Sequence, residues 1–149
     1  MTVEGTPPPI PQAPAAPLSA SDERTWALLA HLSILINLFT GVLGPVAALV
    51  IYLVYKDRSR YVAYQAMQSF IFQLIVIFGG GTLVAVSWAL SSALAVVLIG
   101  FLCMPIALLF TIAVVLAPIY SIIGAVQCNS GQDFKYWLIG DWVRSTLTG

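Results

Sequence analysis

The chain has 149 residues, of which 60% are apolar and 8% charged, and its six bases balance its six acids. An ordinary soluble domain carries about 25% charged residues, so this composition excludes a soluble globule of this size, whose surface would associate through apolar patches. Zero net charge leaves no electrostatic footprint for nucleic acid as a partner.

The charges are also unevenly placed. No Asp, Glu, Lys or Arg occurs over residues 25–55 or over residues 61–132. A span takes about 20 apolar residues at ~1.5 Å rise each, so these two stretches supply more than one span apiece. The lipid bilayer is the first partner, and the chain reads as an all-α membrane protein.

Residues 1–21 form the first region. Six of the nine prolines (Pro7, Pro8, Pro9, Pro11, Pro14 and Pro17) fall there, which predicts a disordered, proline-rich cytoplasmic tail. No basic segment followed by an apolar run marks it as a secretory signal.

Ser19 ahead of Asp22 and Glu23 marks a helix start, with acids where the helix dipole favours them. The first helix runs to about Phe39. Gly41, Gly44 and Pro45 then predict a hairpin turn, because one helix over residues 25–55 would reach about 46 Å, well beyond a hydrocarbon core of roughly 30 Å. The second helix covers about Pro45 to Tyr55.

Lys56-Asp57-Arg58-Ser59-Arg60 is the densest charge cluster. Beyond it, Tyr61, Gln65, Gln68 and Gln73 share one helix face, an amphipathic lead-in to the third span that lies in the interface or turns its glutamines into the bundle. Gly79-Gly80-Gly81 predicts an interruption or a kink, and apolar sequence resumes from Thr82 to Leu102. A fourth span is predicted from Pro105 to Val126, bent at Pro118. Residues 129–149, with Phe134, Tyr136, Trp137 and Trp142 among Lys135 and Arg144, read as an interfacial anchor.

The expected fold class is therefore a four-helix transmembrane bundle over residues 22–128, multi-pass, in the inner cell membrane. Both termini are then cytoplasmic. Arg24 and the anchors Lys56, Arg58, Arg60, Lys135 and Arg144 fall on that side, satisfying the positive-inside rule. Three spans would displace Arg24 alone and is the competing count.

His31 is the only histidine. An ionisable side chain inside a membrane helix is a functional candidate, either as an interhelical hydrogen-bonding group or as a ligand for a tetrapyrrole or metal. The first role predicts a cost of about 1 kcal/mol for His31→Ala. Small residues recur every fourth position at Ala85, Ala89 and Ala93 and again at Ala113, Ala117, Ser121 and Ala125. That spacing lets helix backbones approach closely, within the chain or with a partner. Cys103 and Cys128, about 37 Å apart on a continuous helix, are too distant for a disulfide. Hydrolase residues, a phosphate loop and metal-ligand spacing do not occur, so no enzyme, cofactor or metal is expected.

Several stretches together resemble a family of small bacterial membrane proteins described as a domain of unknown function. They are Glu23 to Ser33, Gly44-Pro45 leading to Tyr55-Lys56-Asp57, Gln65-Ala66 to Phe72-Gln73, and Asn129 to Trp137. That family is placed near the Tic-type translocon component of the chloroplast inner envelope. The resemblance implies a four-helix bundle with His31 as a family feature. Its leading functional expectation is a non-enzymatic subunit or scaffold of a membrane complex, with other membrane proteins or further copies of the chain as partners. A translocation or channel component, suggested by the translocon relatives and the glutamine stripe, is the first alternative. Cofactor binding through His31 is the second.

Overall fold

A computed structural model describes residues 16–148. Most of the expected disordered tail, residues 1–15, lies outside the described residues, and helix α1 (Ala20–Leu32) begins inside the rest of it. The Ser19 hydroxyl accepts from the Asp22 amide at 3.2 Å and caps the helix. After Leu32 the chain tightens into a 3₁₀ turn, Ser33–Ile36. There the Ser33 and Ser69 hydroxyls both donate to the Ala30 carbonyl, each at 2.7 Å. Helix α2 (Asn37–Thr40) follows, and Gly41 at φ 79° reverses the chain.

Helix α3 (Leu43–Tyr55) returns against α4 (Arg60–Leu74), so the turn falls where the glycines predicted it. The helix start differs, lying two residues before Pro45. Gly44 explains the early start: its amide donates to the Asn37 side chain at 2.7 Å, and a Cβ there would meet Asn37 and Gln73.

Ser59 caps α4 by accepting from the Val62 amide at 3.1 Å. The helix then continues through a π-helical stretch, Ile75–Gly80, into α5 (Gly81–Leu94) and a 3₁₀ turn, Ala95–Val97. The glycine triplet therefore does not interrupt the helix. Arg60–Val97 is one run of 38 residues, about 57 Å long. Gly80 allows α6 to come close, since a Cβ there would lie 2.7 Å from the Val114 side chain.

The chain turns back at Leu98, which adopts a left-handed φ of 63°. Helix α6 (Ile99–Asn129) runs 31 residues and starts earlier than the Pro105 that the sequence suggested. Gly100 permits the tight crossing, because its Cα packs over the Ser91 carbonyl and the Ala95 backbone. The described residues form helices and turns without strands. α1 packs on both α4 and α6, α3 on α4, and α5 along α6; helix α7 (Gly140–Thr148) closes against α4.

Two helices, Arg60–Val97 and Ile99–Asn129, are long and apolar enough to cross a membrane, while α3 is apolar and shorter. In the most apolar stretch of each long helix only 11% of residues are buried by the protein itself. The core helix of a soluble protein would be mostly covered, so lipid is the solvent that this surface suits.

Candidate functional site: a sealed polar core around His31

The glutamines of α4 face inward. Gln65, Gln68, Ser69 and Gln73 recur at helical spacing and are fully buried, as are His31 on α1 and Ser121 on α6. The C-terminal segment between α6 and α7 enters the same space. Phe134 is 4% exposed and Tyr136 1%, so they belong to the core and not to a surface anchor. Trp137, Leu138 and Trp142 remain exposed, as an interfacial anchor would be.

Hydrogen bonds fix each group. Gln65 donates from Nε2 to Asp133 Oδ1 and to the Phe134 carbonyl, both at 3.1 Å. That orients its Oε1 toward His31 Nε2, 3.0 Å away, so Nε2 carries the proton. In the neutral ring Nδ1 is then the acceptor, and the Tyr136 hydroxyl donates to it at 3.1 Å. Ser121 lies 2.7 Å from that hydroxyl and 2.9 Å from the His31 carbonyl, the two acceptors available to its single proton.

Gln68 donates to the Phe134 carbonyl at 2.9 Å and to Gln65 Oε1, and accepts from the Tyr136 amide at 3.2 Å. Deeper in, Gln73 donates to Ser33 at 2.9 Å and to Ser69 at 3.2 Å, and accepts from Asn37 at 3.2 Å. Among the described residues no buried side-chain nitrogen or oxygen lacks a partner. A network satisfied to this degree specifies one arrangement, because any slip would strand a polar group.

Aromatic rings wall the network. Tyr136 stacks on Phe72 with centroids 4.1 Å apart, and Phe134 meets His31 edge-on at 5.2 Å. Gly124 of α6 makes room for Phe134: a Cβ there would lie 2.7 Å from its ring. Gly124→Ala should therefore cost about 1–3 kcal/mol by overpacking, read as a lower unfolding midpoint in detergent. An unchanged midpoint would show that Phe134 is free to move aside.

Both His31 ring nitrogens are engaged by protein groups, the Tyr136 hydroxyl and Gln65 Oε1, as an interhelical hydrogen-bonding group would be. Among the described residues no group of three or more His, Cys, Asp or Glu side chains is arranged to hold a metal ion. The glutamine stripe is buried along its length, Gln65 and Gln68 against Phe134 and Tyr136, and Gln73 against Ser33, Ser69 and Asn37.

The small-residue stripes divide. On α6, Ala117, Ser121 and Ala125 are buried, whereas Ala113 is exposed. Ala85, Ala89 and Ala93 of α5 all face outward, so they make no close contact within the chain. The α5–α6 seam uses Ser91, Gly100 and Ala107 instead, which the four-residue spacing missed.

The bases gather where α3 meets α4 and where the C-terminal segment docks. Lys135 pairs with Asp141 at 2.9 Å. Arg144 pairs with Asp133, and that carboxylate holds its guanidinium above the usual range. Arg58 donates to the Ala16 carbonyl at 3.2 Å and lies over the Tyr55 ring.

The family model described as the magnetosome magnetite crystal formation protein family matches residues 22–143. The chain belongs to this family. The match takes in every helix that contributes to the polar core and ends at Val143, whose buried side chain seats α7. Family membership gives the small-membrane-family part of the sequence resemblance and lends nothing to the translocon relation. No curated protein and no solved structure matches the chain.

Proposed function

We propose that this protein is a non-enzymatic structural subunit of the membrane that surrounds a growing magnetite crystal. The observation that carries this reading is the sealed core within a family named for crystal formation: every polar group inside is spent on holding the helices together. What remains for partners is the long apolar exterior of α5 and α6 and the charged end of the bundle. Such a protein works by occupying and organising a membrane.

In this reading the helical arms cross the membrane four times, with both termini in the cytoplasm of a bacterial cell. The six bases then share one face. α3, at 13 residues, covers only about 20 Å, so the α1–α3 hairpin crosses where the bilayer thins around it. Single cysteines placed at positions 58 and 147 should react only from the cytoplasmic side, and those at 42 and 98 only from the opposite side. Cytoplasmic reaction at 42 would reduce the crossings to two, and opposite-side reaction at 147 would reverse the orientation.

The functional test is deletion of the gene in a magnetite-forming host. Crystals should form with an altered size distribution by electron microscopy, restored by the wild-type chain. Crystals unchanged in number, size and shape would end the proposal.

A further inference from the structure

The base-rich end of the bundle encloses a cavity of about 590 Å³, walled by α3, α4 and α7, whose charged residues are Lys56, Asp57, Arg60, Asp133 and Arg144. Asp133 and Arg144 neutralise one another. The side chains of Lys56 and Arg60 make no hydrogen bond or ion pair among the described residues, and one acid, Asp57, stands against them. The mouth therefore carries an excess of one positive charge. Arg60 also opens α4, where the helix dipole adds to the attraction for an anion.

A second, apolar cavity of about 190 Å³ lies between α4 and α7, with Met67, Ile71, Trp142 and Val143 in its wall. Tyr52 and Leu147 line both, so the two spaces adjoin. From Arg60 to Ile71 the pair extends about 16 Å along α4.

We propose that the joined cavity holds one anionic phospholipid, its phosphodiester between Lys56 and Arg60 and an acyl chain in the groove between α4 and α7. A diester carries a single negative charge, the complement of the mouth. A free phosphate would occupy the mouth and leave the apolar groove empty. The lipid fills both, and it is at hand, because Lys56 and Arg60 flank apolar helices at headgroup level. Arg58, in the same loop, is engaged with Ala16 and Tyr55 and does not line the cavity.

The test titrates the full-length protein in a mild non-ionic detergent with phosphatidylglycerol or phosphatidylcholine of identical acyl chains, counting retained lipid by native mass spectrometry. One phosphatidylglycerol should be retained in preference to phosphatidylcholine. The K56Q/R60Q double variant should bind it roughly thirtyfold more weakly, the effect of two interfacial charges, while R58Q binds as wild type. Ile71→Trp, which fills the groove, should weaken phosphatidylglycerol binding and leave glycerol 3-phosphate binding unchanged.

Glycerol 3-phosphate displacing the lipid at equal concentration would assign the mouth to a water-soluble phosphate and overturn the lipid. Equal retention of the two lipids, or a folded K56Q/R60Q that binds as wild type, would also overturn it. Loss in R58Q as large as in the double variant would reduce the effect to general surface charge and do the same.

Discussion

Tyr136→Ala should destabilise the bundle by about 3–5 kcal/mol, the range for deleting a large buried ring. The side chain is 1% exposed and touches three helices at once: it stacks on Phe72, its hydroxyl reaches His31 and Ser121, and its amide donates to Gln68. Unfolding in detergent, followed by circular dichroism against denaturant, measures the loss. Tyr136→Phe keeps the ring and removes only the hydroxyl, so about 1–2 kcal/mol should remain as its share. An alanine variant as stable as wild type would mean that the C-terminal segment merely lies against the helices.

His31→Ala is expected to cost about 2–4 kcal/mol, more than the ~1 kcal/mol that an interhelical hydrogen bond alone would give. The reason is packing. The ring is fully buried among Phe134, Tyr136 and Gln65, and truncation opens a cavity there. The polar loss is partial, because Gln65 Oε1 still accepts from Gln68 and the Tyr136 hydroxyl still meets Ser121. His31→Leu restores most of the volume and should recover about half the stability. Equal, small losses for both variants would show that the ring is not part of a tightly packed core.

Much of this architecture is legible in residue order. The cap at Ser19, the reversal at Gly41 and the long apolar runs are local signals, and the structure forms each locally. The glutamine stripe was visible as a period, but a period says that residues share a face without saying which neighbour they face. The second reversal, expected just before Pro105, falls at Leu98, which has no Pro, Asn or Asp to mark it; a leucine takes the left-handed conformation, and the enabling residue, Gly100, lies two positions on. The C-terminal segment departs furthest from its local signal. Aromatic residues with a base beside them read as interfacial, and only the inward row of helix-borne polar groups, distant in sequence, makes Phe134 and Tyr136 internal. His31 was singled out by its chemistry, while its partners come from residues 34 and 105 positions away.

The docked C-terminal segment also sets the order of biogenesis. Translation delivers α1, α3 and α4 first, with His31, Gln65 and Gln68 in place and their partners Phe134 and Tyr136 not yet synthesised. Until residues 133–136 arrive, the nascent helices hold a half-satisfied polar face, which in the four-span reading neighbouring helices or insertion factors must cover. The segment around Phe134 and Tyr136 therefore acts as a latch on the helices that precede it. A chain broken off before residue 134 should leave that face open, so closure of the helices waits on a segment that translation delivers well after them.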